Sequence, residues 1–207
     1  MHARLLENLK ASPKLFADEM PCPVLDPGRG RTKKGYLWAV ARDDRPWSGS
    51  DPPSVAYTYA LGRGAEHARR MLAGYTGILQ VDGYAAYNKL EPDVTLAFCW
   101  SHFRRRFYDI AKSGNASIAT EILRRISELY DIEAEIRGRS AQERRAVRQA
   151  RARDIVDDFK DWLEEQLTRV PKSSTIAEDM RYGINHWAGL CRYLDDGRIE
   201  MDTNTVE

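Results

Sequence analysis

Three strand-type runs precede the first helical pattern, and this order is the strongest constraint on how the chain can fold. The runs are "KLFADEMPCPVL" at 14–25, "YLWAVARDD" at 36–44 and "SVAYTYALG" at 54–62. They are separated by "DPGRGRTKKG" and "RPWSGSDPP", whose Pro, Gly and Ser content is typical of loops. We therefore predict an antiparallel meander of three strands.

After the third run, helical and strand patterns alternate. "GAEHARRMLAGY" has helical spacing, "GILQVDGY" and "VTLAFCW" are short strands, and the second of these runs directly into the basic helix "HFRRRFYDIAKS". Three antiparallel strands followed by alternating helix and strand form a mixed sheet covered by helices. The predicted class is α/β, and the order matches a ribonuclease-H-like core.

Beyond Gly114 the pattern becomes helical, with apolar residues recurring every three or four positions, as in amphipathic helices that pack against a core. The three stripes comprise Ile122, Ile126, Leu129, Ile132 and Ile136; Ile155, Phe159, Trp162, Leu163 and Leu167; and Ile176, Met180, Ile184, Trp187, Leu190 and Leu194. We predict a ribonuclease-H-like core at 1–114, an all-α insertion at 115–197 before the last core helix, and the start of the final core segment at 198–207.

Bulk composition narrows the cellular setting of the chain. Its three cysteines, Cys22, Cys99 and Cys191, are odd in number and far apart, which favours a reducing compartment. No apolar run is long enough for a membrane span, and "MHARLLENLK" lacks the apolar stretch of a signal peptide. We expect a soluble cytoplasmic protein with no membrane partner.

Positive charge is concentrated locally although the chain is nearly neutral, with Lys+Arg 32 against Asp+Glu 31. Seven arginines and one acid, Glu143, lie between Arg137 and Arg153, and three more arginines lie in "HFRRRF". Such stretches suit phosphate binding by one face of the protein. The alternative is an ordinary solvated helix face.

Two acids occupy strands or strand ends, where a metal site can be held rigidly. Asp18 lies within the first strand, and Asp82 ends "ILQV" and precedes Gly83. If these strands are neighbours, the two carboxylates converge, and a third carboxylate at a helix start would complete an oxygen-rich site for two Mg²⁺ ions. Two such ions suit phosphoryl transfer. The competing interpretation is that these acids are turn or cap residues.

Other candidate sites have weaker patterns. "GRGRTKKG" lacks the G-K-[ST] ending of a phosphate-binding P-loop. Cys99 and His102 form a single C-x-x-H pair, whereas a structural zinc site needs four ligands, so a further cysteine would have to join them through the fold.

Five motifs in order give the chain a resemblance to a known family. "ADEMP", "GYLWAVARDDRPW", "GILQVDGYAAYN", "CWSHFRRRFYD" and "DTNTVE" together resemble the central domain of transposases of the insertion sequence 66 family, and the resemblance covers essentially the whole chain. The family belongs to the DDE transposases, which implies a ribonuclease-H-like catalytic core.

The resemblance also implies the site. It assigns Asp18 from "DEM", Asp82 from "DGY" and Glu207 from "DTNTVE" as ligands of two Mg²⁺ or Mn²⁺ ions, which serve DNA strand cleavage and then strand transfer by the freed 3′ hydroxyl. The implied partners are DNA, as transposon ends and target, with self-association or association with full-length transposase. The implied setting is the bacterial nucleoid. Cys99 and His102 are expected to position a helix.

Basic residues are the expected DNA contacts. The DNA-binding candidates are Arg104, Arg105, Arg106, Arg144, Arg145 and Arg148.

The sequence departs from the family pattern at two positions and at its end. Met20 and Thr203 stand where Thr and Asn are usual, and the chain stops at Glu207, before the expected Arg. We therefore expect a truncated, poorly active fragment. Two alternatives stay open: a non-catalytic DNA-binding or assembly remnant, and a structure-selective nuclease of the same fold.

Overall fold

A mixed five-stranded sheet forms the first part of the protein. The computed structural model describes residues 1–90, 92–112 and 117–205. The strands lie in the order β3-β2-β1-β4-β5, with β1 antiparallel to β2, β2 antiparallel to β3, and β1 parallel to β4. Their bounds are β1 Lys14–Asp26, β2 Arg31–Arg42, β3 Ser54–Ala60, β4 Ile78–Val81 and β5 Thr95–Phe98. The predicted antiparallel meander and the α/β class are confirmed.

Helices alternate with the later strands and then dominate the chain. They are α1 His2–Lys10, α2 Ala65–Met71, α3 Trp100–Lys112, α4 Ser117–Ile136, α5 Ala141–Val147, α6 Arg153–Arg169 and α7 Thr175–Asp195. Short 3₁₀ turns span Arg45–Trp47 and Tyr87–Lys89, and a π-helical turn at Arg148–Ala152 joins α5 to α6. The sequence did not predict α1. Within the described residues, no helix has the length and apolar character needed to cross a membrane.

The chain divides into two compact units, and the first contains most of the sheet. Among the described residues it comprises positions 1–44, 51–96 and 203–205. Leu15 and Phe16 on β1, Val40 on β2, and Leu79 and Val81 on β4 are fully buried. Consecutive buried residues on β1 are expected of a central strand covered on both faces.

The hairpin of β1 and β2 is longer than the sequence predicted. The segment "DPGRGRTKKG" was predicted as a loop, but only residues 27–30 form the turn, and β2 already begins at Arg31. The strands pair from Phe16↔Ala41 out to Asp26↔Arg31. The loop prediction was wrong for residues 31–35 because cross-strand hydrogen bonds to β1 outweigh their low strand propensity.

The second unit, residues 45–50 and 97–202, is helical and has an aromatic core. The Trp100 ring lies 5.6–6.3 Å, centroid to centroid, from the rings of Phe103, Phe159, Trp187 and Tyr193. The first predicted apolar stripe is buried throughout, on α4. On α6 only Phe159 and Leu163 of the predicted stripe are buried, and on α7 Ile176 and Ile184 are only half-buried. The predicted boundaries at 114/115 and 197/198 stay predictions.

Candidate metal centre between strands β1 and β4

Parallel pairing of β1 with β4 brings the two predicted aspartates together. The register runs from Lys14↔Ile78 to Phe16↔Gln80. Continued by two residues, it places Asp18 directly beside Asp82. Carboxylate oxygens of Asp18, Glu19 and Asp82 all lie within 4.8 Å of one another. The sequence-based expectation that Asp18 and Asp82 converge therefore matches the geometry.

Asp82 is held by the turn that follows β4. Its Oδ1 accepts a hydrogen bond from the backbone N–H of Tyr84 at 2.7 Å. Gly83 between them has φ +96°, in the region that side-chain-bearing residues rarely adopt. This local geometry fixes the orientation of the Asp82 carboxylate at the sheet edge.

Asp18 is half-buried and is likewise fixed by a local bond. One of its carboxylate oxygens accepts the backbone N–H of Glu19 at 2.8 Å. The residue lies on the central strand, opposite Ala39 of β2. A rigid strand thus carries this carboxylate, which suits a site that must hold a ligand in one geometry.

Glu19 is a member of the cluster that the sequence analysis missed. Its side chain is fully buried. One oxygen accepts Nε–H of Arg63 at 2.6 Å, and the other accepts the hydroxyl of Tyr87 at 2.7 Å. Burial raises the pKa of the Glu19 carboxyl, while the Tyr87 hydrogen bond and the Arg63 guanidinium oppose the shift and the Asp82 charge adds to it. The available signal was a second acid directly beside Asp18 in a strand of mostly apolar residues.

Arg63 joins Glu19 to the turn that carries Asp82. Its guanidinium lies over the Tyr84 ring, 3.9 Å from the ring centroid, and its backbone carbonyl accepts the Tyr84 hydroxyl at 2.8 Å. Because Tyr84 also donates its N–H to Asp82, the network runs from Glu19 through Arg63 to the second aspartate. Burial and the Glu19 charge raise the pKa of Tyr87 well above its usual range, so its hydroxyl stays protonated as a donor.

The donor set of this cluster fits a hard divalent cation. All of its candidate ligand atoms are carboxylate oxygens, which Mg²⁺ and Mn²⁺ favour over nitrogen or sulfur ligands. Both Glu19 oxygens are already engaged by Arg63 and Tyr87, so Asp18 and Asp82 are the better candidates for direct ligands. The third predicted ligand, Glu207, lies outside the described residues.

The zinc alternative has no support in the described part of the chain. Cys22, Cys99 and Cys191 form no disulfide there. The acidic cluster contains none of them, and no group of three potential metal ligands in the described part of the chain includes Cys99 or His102.

The predicted DNA-contacting arginines fall into two groups. Arg104, Arg105 and Arg145 are exposed. Arg106 is also exposed, but it donates to Asp179 at 2.9 Å, and its guanidinium lies 3.7 Å from the Tyr182 ring centroid.

Arg144 and Arg148 require a correction, because both are buried. Arg148 donates twice to Glu133, each at 2.7 Å, and Arg144 forms ion pairs with Glu133 at 3.4 Å and Glu200 at 2.6 Å. Their side chains are 0–1% exposed, so a DNA phosphate cannot reach them in this arrangement. The reason is that acids on other segments of the same unit face this side of the arginine run.

Comparison with known proteins supports the resemblance drawn from the motifs. The family model described as "Transposase IS66 family" matches residues 1–207. Two uncharacterized proteins of Sinorhizobium fredii are similar: y4qI is 44% identical over 98% of this chain and 39% of its own length, and y4jD is 43% identical over 100% of this chain and 42% of its own. The chain thus spans about two fifths of the length of these curated relatives. It belongs to the IS66 family of transposases.

Proposed function

We propose that this chain is the catalytic domain of a DDE-type transposase, which cleaves DNA strands at transposon ends and transfers them to a target within the bacterial nucleoid. The observation that carries the proposal is the convergence of Asp18 and Asp82, within 4.8 Å, at the edge of two parallel strands. The family motif makes Glu207 the third acid of the set. The order β3-β2-β1-β4-β5, with an antiparallel meander joined to parallel β4, supports a ribonuclease-H-like core.

Electrostatics explains why such a site needs cations. A DNA phosphate is an anion, and the carboxylates of Asp18 and Asp82 would repel it if nothing neutralised them. Two divalent ions, Mg²⁺ or Mn²⁺, held by these acids would supply activation of the attacking oxygen and charge stabilisation at the leaving oxygen. The protein's own part is to hold the two carboxylates rigidly on β1 and at the end of β4.

Glu19 and Arg63 serve this proposal as positioning residues. The buried Glu19 fixes Arg63, and Arg63 packs on Tyr84, whose backbone N–H holds the Asp82 carboxylate. The Arg63 side chain is 42% exposed, so it also leaves positive charge at the surface beside the acids. That charge favours the approach of an anionic strand.

Metal binding and DNA cleavage test the proposal separately. Calorimetric titration with Mn²⁺ should give binding heat for the unmodified chain and for Asp93→Asn, which removes an exposed acid of the same unit. Asp18→Asn and Asp82→Asn should abolish that heat. In parallel, Mn²⁺-dependent nicking of supercoiled plasmid should be lost in both site variants and kept in the control.

Three outcomes separate the candidate functions. Equal Mn²⁺ heat in all variants would exclude the acidic pair as the metal site. Salt-dependent DNA retention without nicking would favour a non-catalytic DNA-binding or assembly role. Nicking without joining of a pre-cut transposon end to plasmid would favour a nuclease.

A further inference from the structure

The outer half of the β1–β2 hairpin projects beyond the rest of the sheet. Pairing of β2 with β3 begins at Tyr36↔Ala60, and pairing of β1 with β4 ends at Phe16↔Gln80. From Cys22↔Gly35 to Asp26↔Arg31, the two strands pair only with each other within the described part of the chain. We call residues 22–35 the hairpin arm.

The base and the tip of the hairpin arm are both well defined. At the base, the Tyr59 side chain of β3 covers Gly35 so closely that an added Cβ would lie 2.6 Å from its ring. At the tip, Gly28 and Gly30 have φ of +82° and +60°, which only glycine adopts without strain. The arm is therefore a two-stranded ribbon with a tight turn.

The charge of the hairpin arm is strongly positive and is not balanced locally. Arg31, Lys33 and Lys34 are exposed, and none of them has a carboxylate within ion-pairing distance among residues 1–90, 92–112 and 117–205. Arg29 is 67% exposed and lies 3.6 Å from Asp26, the only acid of the arm. Three exposed helical arginines behave differently: Arg124, Arg151 and Arg169 each pair with a glutamate.

Four cations on a narrow ribbon repel one another, and a polyanion relieves that repulsion. A two-stranded ribbon also has the width that the major groove of a DNA duplex admits. The exposed Leu25, at 79%, offers an apolar contact on the same ribbon. Shape and charge together fit duplex DNA, with cations on the phosphates that border the groove.

The position of the hairpin arm links it to the acidic cluster, because β1 carries both. From Asp18 to Asp26 the strand covers roughly 26 Å at about 3.3 Å per residue. That length equals about eight base pairs of duplex at about 3.4 Å each. One DNA molecule can therefore lie along β1, with the reacting DNA strand at Asp18 and the flanking DNA duplex on the hairpin arm.

We propose that the hairpin arm binds the DNA duplex that flanks the reacting strand, with Arg31, Lys33 and Lys34 contacting phosphates. This inference rests on the proposed function, since it takes DNA as the substrate. It adds a second contact surface, separate from the acids that hold metal.

The test is duplex binding without metal, which keeps it independent of the acidic cluster. A short fluorescein-labelled duplex is titrated by anisotropy in EDTA over a salt series. The hairpin variant changes Arg31, Lys33 and Lys34 to Gln. The matched control changes Arg169, Lys160 and Lys172 to Gln, so both variants lose one arginine and two lysines.

The hairpin variant should bind duplex more weakly, and the slope of log K against log salt should fall in magnitude by about two to three, at about 0.9 per lost phosphate contact. The control and the charge-preserving Lys33→Arg, Lys34→Arg variant should keep the unmodified slope. Thermal unfolding of the variants checks that each is folded. Equal slopes for the hairpin variant and the control would overturn the proposal, even if Asp82→Asn abolished plasmid nicking. If the hairpin variant shows the smaller salt slope but Asp82→Asn still nicks plasmid like the unmodified chain, the metal site alone is overturned.

Discussion

Two basic stretches of this chain look alike in sequence and differ completely in structure. The hairpin arm carries exposed cations at Arg31, Lys33 and Lys34 that have no ion pair among the described residues. The arginine run at 137–153 instead turns Arg144 and Arg148 into the interior of the helical unit, where both are at most 1% exposed.

The difference arises from which groups face each stretch. Glu133 on α4 accepts two bonds from Arg148 at 2.7 Å, and the backbone carbonyl of Tyr193 accepts a third at 2.8 Å. The hairpin arm meets no such acids because, in the described structure, its two strands pair only with each other. A run of cations therefore indicates a nucleic-acid surface only where the fold leaves it without internal partners.

The largest effect should follow from removing the buried cation, as in Arg148→Met. Glu133 would keep its charge while losing its bidentate partner, and breaking a buried pair in this way costs about 3–5 kcal/mol. We expect a loss of that size in the free energy of unfolding, measured by urea denaturation.

Arg145→Met is the matched control for this prediction. Arg145 is exposed on α5, three residues before Arg148, and surface substitutions usually change stability by no more than about 0.5 kcal/mol. Equal losses in the two variants would show that the arginine run does not divide into buried and exposed members as described.

A smaller effect is expected at the tip of the hairpin arm. Gly30→Ala places a side chain at φ +60°, where the left-handed conformation costs about 1–2 kcal/mol. No atom lies within 4 Å of the added Cβ, so conformational strain is the only penalty. Unfolding measurements should show that loss for Gly30→Ala and a smaller one for Gly30→Asn, because Asn tolerates this region. Equal stability of Gly30→Ala and the unmodified chain would contradict the turn geometry.

Much of the fold and the main acidic pair could be predicted because their signals are local. Short apolar runs bounded by Gly and Pro predict strands, and the class of the sheet follows from their order. Asp82 followed by Gly83 marks a strand end, and parallel neighbours then place it beside Asp18. In this part of the chain, periodicity and turn chemistry agree with the tertiary structure.

The remaining features depend on contacts between distant residues. Arg144 and Arg148 are buried only because Glu133 and Glu200 face them, and helical spacing does not carry that information. Residues 31–35 become strand because β1 continues opposite them. Glu19 is tied to the Asp82 turn through its hydrogen bond from Arg63, which lies 44 positions later in the sequence.

Glu19 and Glu133 extend the comparison to buried acids. Each accepts hydrogen bonds from an arginine. Glu133 lies inside the helical unit, whereas Glu19 lies beside two acids of the candidate metal site. Burial raises the pKa of Glu19 in the folded chain above its ordinary value, so the folded state binds this proton more tightly than the unfolded state does. Folding is therefore less favourable with Glu19 ionised than with Glu19 protonated.

Glu19→Gln should accordingly separate stability from function. The stability of the unmodified chain relative to the variant should fall as pH rises from the ordinary carboxyl pKa through the raised folded pKa, because Glu19 then ionises inside the fold whereas Gln cannot. Mn²⁺ affinity should nevertheless fall by about tenfold or more, the size typical of residues that orient ligands, since Arg63 and the Asp82 turn lose their anchor. Glu66→Gln, an exposed acid on α2, should change neither quantity. Denaturation at several pH values and Mn²⁺ calorimetry measure the two effects. A variant that binds Mn²⁺ like the unmodified chain would reduce Glu19 to a packing residue, and the contrast with Glu133 would disappear.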